Sequence, residues 1–141
     1  MREDLEKIAS FLEEHHVMSL ATTHNGELSV CSLFYTYVKE YNIFIVASGD
    51  ETLHIQHITQ NSKIAGNILL ETSIVSKIQG VQFRGDFSLL EEKKYFDYYY
   101  KAFPFSKLMK PKLWQIKVNY FKMTDNRLGF GKKIIWEDSS L

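Results

Sequence analysis

A single cysteine, Cys31, stands in 141 residues, so no disulfide can form within the chain. A lone thiol in an apolar run reads as a small core residue. Net charge is also absent, because 17 basic side chains balance 17 acidic ones. That balance argues against a dedicated nucleic-acid binder. No long apolar run and no leader-like segment is present, so no membrane partner is expected and the cytoplasm is the expected location.

Several kinds of chemistry lack their residues. No G-x-G-x-x-G follows a strand, and Gly129-Phe130-Gly131 has the wrong continuation. Gly131-Lys132 leads into Lys133 rather than Ser or Thr, so there is no P-loop. No Cys/His zinc spacing occurs, and the pair His54-x-x-His57 has no evident third ligand, so no metal is expected. Nothing marks a nucleophile beside an oriented base. No catalytic residue can be named.

What the chain does have is aromatic surface: ten Phe, eight Tyr and two Trp. That is more than a small core needs, and it suggests an interface, a flat ligand, or both. The charge is also uneven. Residues 1–70 carry four basic and nine acidic side chains, and residues 71–141 carry thirteen and eight. The second half can attract an anion or the acidic half of another subunit. The length suits one domain, 1–141.

Apolar spacing predicts a helix over Arg2–His16, with Leu5, Ile8, Ala9 and Leu12 as its stripe. Strands follow at Val17–Thr23 and Glu27–Val38, joined by the hairpin signal Asn25-Gly26. The second strand is apolar on both faces and so must bury both. Further strands are expected at Ile43–Ala47, Lys63–Leu70, Lys77–Leu90, Leu113–Met123 and Lys132–Trp136. Helices are expected at Thr52–Gln60 and Glu91–Phe103, the latter ended by Pro104. On the Lys77–Leu90 strand, Val81, Phe83, Phe87 and Leu89 mark one face, and Gln82 and Arg84 point from the other. The sum is a mainly β, α+β fold: a six- to seven-stranded antiparallel barrel with peripheral helices.

Between the Ile43–Ala47 strand and the next helix lies a small polar loop, Ser48-Gly49-Asp50-Glu51, with Thr52 placed as N-cap. A loop that opens a helix is a ready anion site, because the first-turn N–H groups have no intrahelical partner. Together with the basic half and the aromatic strands, it suits a flat, phosphorylated ligand.

These residues carry a resemblance. The order of helix, MSLATT strand, NG hairpin, aromatic strand, VASGDETLH loop and GVQFRG strand resembles the FMN-binding split barrel of the pyridoxamine-phosphate-oxidase-like superfamily. GVQFRG, TLHIQH and the ending TDNRLGFGKKIIW are more similar to its uncharacterised YhbP-like branch. The resemblance implies a split barrel, FMN as cofactor, and a homodimer with flavin at the subunit interface. It implies Ser48, Thr52 and His54 in the phosphate loop, and Ser32, Phe34 and Tyr35 at the isoalloxazine edge. Gln82 and Arg84 would reach the ring's polar edge or the phosphate, and Lys132 and Lys133 would close the site from either subunit. Flavin-binding relatives carry an Arg-Lys type pair where this chain has Leu53-His54, so a weaker hold on phosphate is expected. Three functions stay open: an FMN-dependent oxidoreductase on a small substrate, a non-catalytic binder of flavin, haem or another anionic aromatic, and a structural dimer with an empty pocket. For haem, His54 or His57 is the candidate axial ligand.

Overall fold

A computed structural model describes residues 2–138. The elements in chain order are α1 (Arg2–Glu14), β1 (Val17–His24), β2 (Glu27–Val38), β3 (Ile43–Ala47), α2 (Leu53–Gln60), β4 (Lys63–Leu69), β5 (Gln79–Leu89), α3 (Phe96–Ala102), α4 (Ser106–Met109), β6 (Leu113–Asp125) and β7 (Lys133–Glu137). The strands form one antiparallel sheet in the order β3-β2-β1-β4-β5-β6-β7, and β3 also pairs with β6. That last pairing closes six strands into a barrel and leaves β7 outside as an extension. The architecture is mainly β, α+β: a split barrel with peripheral helices. Among the described residues no helix is long and apolar enough to cross a membrane.

The split is made by β6, which serves two neighbours in turn. Its first half, Leu113–Lys117, pairs with β3, and its second half, Tyr120–Thr124, pairs with β7. Strand β5 runs beside both halves. Its register jumps from Gly85↔Val118 to Arg84↔Tyr120, passing over Asn119. A bulge of this kind sharpens the local twist and lets β6 turn out of the barrel. Gly85 is needed there, because a Cβ at this position would run into the Lys117 carbonyl oxygen.

The hairpin joining β1 to β2 turns as the sequence predicts, with Asn25 at φ 49° and Gly26 at φ 81°. Inside the barrel, Tyr35, Tyr37, Phe44, Phe83 and Phe121 make an aromatic cluster; the Phe44 ring lies 4.7 Å from Phe83 and 5.2 Å from Tyr35. Helix α1 closes one end with Ile8, Ala9, Phe11 and Leu12, and α2 adds Ile55 and Ile58. A second, outer core lies beneath α3, where Tyr99 packs with Val38, Ile43, Ile45, Leu90 and Leu113.

Three expectations shift. The stretch expected as one helix, Glu91–Phe103, opens with a 3₁₀ turn at Lys93–Tyr95, and its α-helical part is only Phe96–Ala102. Ala102 is exposed, because α3 crosses only the β2–β3 side of the barrel. Strand β5 begins at Gln79 because Val75–Lys77 makes a 3₁₀ turn. At the far end of β5 the alternation breaks: Leu89 turns outward, and Leu90 enters the outer core instead.

Candidate functional site

The polar loop lies where the barrel seam ends. The β3–β6 ladder continues one step past Ala47↔Leu113, with Ser48 N–H donating to the Lys112 carbonyl at 3.1 Å. The Trp114 indole N–H donates to the Ser48 carbonyl at 2.9 Å. The main chain of the loop is therefore held from β6. Thr52 caps α2 as predicted: its Oγ1 accepts from Ile55 N–H at 3.3 Å and donates to the Gly49 carbonyl at 2.9 Å. The first-turn N–H groups of Leu53 and His54 have no acceptor within the helix.

His54 is turned inward and buried, with Nε2 2.6 Å from Ser48 Oγ and 3.3 Å from Thr52 Oγ1. Burial lowers its pKa, so the ring is neutral at neutral pH. It therefore adds no cation to the loop, in line with the weaker hold expected from Leu53-His54. A ring nitrogen carries at most one hydrogen, so Nε2 makes one full bond, to Ser48 at 2.6 Å, and the 3.3 Å approach to Thr52 is the weaker contact.

One cation near the loop escaped sequence reasoning. Lys112 is the cross-strand partner of Ser48, so the two side chains leave the sheet on the same face. Its Nζ bonds Asp50 of the loop at 2.9 and 3.0 Å and lies 5.3 Å from the Trp114 ring centre. Nothing local marks Lys112 among the eight lysines of 93–122. Only closure of the barrel brings it to residues sixty positions earlier.

On the outer face of the sheet is a cleft of about 530 Å³, floored by small residues and walled by larger ones. Strand register explains its shape. One cross-strand row reads Ser32, Ser19, Asn67, Gln82, Lys122, and the next reads Val30, Ala21, Ala65, Arg84, Tyr120. Ser19, Ala21 and Ala65 make the floor. The polar wall is Gln82, Arg84 and Lys122, with the Arg84 guanidinium 4.0 Å from the Tyr120 ring centre. The acid Asp86 is tied to Lys63 and Ser62 instead. Gln82 and Arg84 thus stand together in the cleft, with Asn67, Tyr120 and Lys122 as companions the sequence did not single out.

The β2 residues divide. Ser32 and Phe34 face out and are exposed, Phe34 with its ring 5.6 Å from Phe103. The Tyr35 side chain faces the core, where its hydroxyl donates to the Leu12 carbonyl at 2.7 Å. That places the Tyr35 side chain in the packing rather than beside a ligand. Ser32 lies three residues from Tyr35, whose partner Val46 lies two residues before Ser48, so β2 links the loop to the cleft.

Lys133 pairs with Thr124 at the far end of β6, and Lys132 lies in the turn before it. Thr124 is twelve residues beyond Lys112, about 40 Å of extended strand. Within one chain, Lys132 and Lys133 therefore lie at the opposite end of β6 from the Ser48–Thr52 loop. His57 is also engaged elsewhere: buried, it binds Thr22 Oγ1 through Nδ1 at 2.8 Å and Glu27 through Nε2 at 2.7 Å. It pins α2 to the β1–β2 hairpin and has no ring nitrogen left for a metal or haem iron.

Comparison with known proteins agrees with this geometry. Residues 5–123 match the family model for pyridoxamine 5'-phosphate oxidase. A UPF0306 protein YhbP from Salmonella arizonae is 34% identical over 140 residues, covering 96% of this chain and 95% of its own. Two solved structures share the fold at 14% identity. A haem-binding protein from Mycobacterium smegmatis has a TM-score of 0.78, with 95% of this chain and 57% of that one covered. An FAD-binding protein from Mesorhizobium loti has a TM-score of 0.72, with 84% and 90% covered. With its barrel split at β6 and matched over residues 5–123, the chain belongs to the pyridoxamine 5'-phosphate oxidase family, in the UPF0306 (YhbP) branch.

Proposed function

We propose that this chain is a cytoplasmic FMN-binding protein and an oxidoreductase on a small substrate, with the phosphate at the Ser48–His54 loop and the ring in the cleft beyond β2. The observation that carries the reading is the donor set at the loop. The Leu53 and His54 amides open α2 beside Ser48, and the Lys112 ammonium is held to the same loop through Asp50. This set suits a phosphate monoester better than a neutral ligand. Bound flavin would supply the electron or hydride transfer. The protein's own part is orientation and charge: Gln82 donates to or accepts from a polar ring edge, and Arg84 and Lys122 hold positive potential beside it.

The outer face of β2 supports a homodimer. Leu28, Val30 and Phe34 are 79%, 74% and 59% exposed on a strand whose other face is core. Such a strip on a sheet face suits a second layer, and a second copy would roof the cleft. The haem reading loses His57 as a ligand, since both His57 ring nitrogens already have partners.

The test is a titration of the purified protein with FMN and with riboflavin, read by quenching of flavin fluorescence. Micromolar or tighter FMN binding, with riboflavin at least tenfold weaker, supports the reading. Absence of FMN quenching, or equal affinity for the two, refutes it.

A further inference from the structure

We propose that the turn built on α4 docks on an anionic lipid bilayer. The flavin reading plays no part in this inference. Phe105, Leu108 and Met109 are 84%, 84% and 82% exposed, which is unusual for three large apolar side chains within five residues. The turn is held in shape. Pro104 and Pro111 bracket it, Ser106 Oγ–H donates to the Phe103 carbonyl at 2.6 Å, and Lys110 at φ 47° takes the chain back toward β6. Little further ordering is needed when it meets a surface.

Charge decides the kind of surface. Residues 98–112 contain Lys101, Lys107, Lys110 and Lys112 and no acid. Lys112 is tied to Asp50, and Lys101, Lys107 and Lys110 are exposed around the apolar tip. An apolar tip in a lysine collar matches a bilayer with anionic headgroups: the side chains enter the headgroup–acyl boundary and the ammonium groups meet phosphates. Two faces of a second copy lack the matching combination of apolar surface and acid. The apolar face around the cleft carries Arg84 and Lys122, which repel the collar. Helix α1 exposes Glu3, Glu6, Glu13 and Glu14 but no large apolar side chain. No membrane-crossing span is required for such a contact.

The experiment is co-sedimentation of the full chain with vesicles of phosphatidylcholine alone and of phosphatidylcholine containing phosphatidylglycerol. Binding to the anionic vesicles only, weakening as salt rises, is the expected result. Each lysine near the surface is worth roughly fivefold in partition. The pair Lys107→Glu and Lys110→Glu should therefore lower binding more than tenfold, as should Phe105→Ser with Leu108→Ser. All four side chains are exposed, so circular dichroism and thermal midpoint should stay unchanged. No binding, equal binding to both vesicle types, or full binding by the lysine variant overturns the proposal. So does an absence of vesicle binding together with a Phe105/Leu108 variant whose mass in sedimentation velocity falls, since the occupant is then a second copy.

Discussion

Ser48 Oγ lies 2.6 Å from His54 Nε2, a bond that links the end of β3 to the first turn of α2, where burial holds the imidazole pKa below its usual value. His54 therefore brings no cationic grip to the loop. FMN affinity should then be flat from neutral to mildly alkaline pH. An affinity that falls as pH rises through the ordinary histidine range would instead show a cationic grip.

The same burial sets a stability trend. The folded His54 has a pKa below its unfolded value of about 6.5, so between the two values the unfolded chain binds the extra proton. The stability of the neutral form is fully present above about pH 6.5 and is lost as pH falls toward the folded pKa. Urea midpoints across mildly acidic pH should fall for the native chain. For His54→Phe they should fall less. Parallel curves would remove His54 as the source.

Thr52→Ala removes the α2 cap, leaving Ile55 N–H without its side-chain acceptor and the Gly49 carbonyl with only the Thr52 N–H as donor. A loss of about 1 kcal/mol is expected in urea unfolding, within the usual range for such caps. The FMN affinity of Thr52→Ser should match the native protein, because the hydroxyl is retained. An unchanged stability in Thr52→Ala would mean that water replaces the cap without cost.

Lys112 and Arg84 should separate by ligand. Lys112→Gln should weaken FMN by about tenfold and leave riboflavin unchanged, since one charge-assisted bond to phosphate is lost. Arg84→Ala should weaken both ligands alike, because it acts at the cleft. If Lys112→Gln weakens riboflavin equally, the lysine acts through the fold rather than through phosphate.

Gly85→Ala forces a methyl group against the Lys117 carbonyl at the point where β6 leaves the barrel. A loss of about 1–3 kcal/mol is expected, the usual range for overpacking. Thermal denaturation measures it. A neutral outcome would show that the bulge can shift to make room.

The elements were largely legible in the sequence because their signals are local. Alternation placed β2 at Glu27–Val38 and β3 at Ile43–Ala47 as observed, Asn25-Gly26 supplied its positive φ values, and Thr52 capped α2. Element ends were less legible. The 3₁₀ turns at Val75–Lys77 and Lys93–Tyr95 rest on two i→i+3 bonds each, which apolar spacing does not report.

The site was legible only in part. Ser48, Thr52 and His54 converge because they share one loop, and Gln82 and Arg84 share a face by the two-residue period of a strand. Lys112, Asn67, Tyr120 and Lys122 join them through pairings between distant strands. The sequence by itself determined which residues form strands, where the polar loop before α2 opens, and that β2 is apolar on both faces. The tertiary structure decided that His54 is neutral, that the Tyr35 side chain is core, and that Lys112 stands beside Ser48. Protonation depends on burial, and proximity across β3 and β6 depends on barrel closure, and neither quantity is a property of neighbouring residues in the chain.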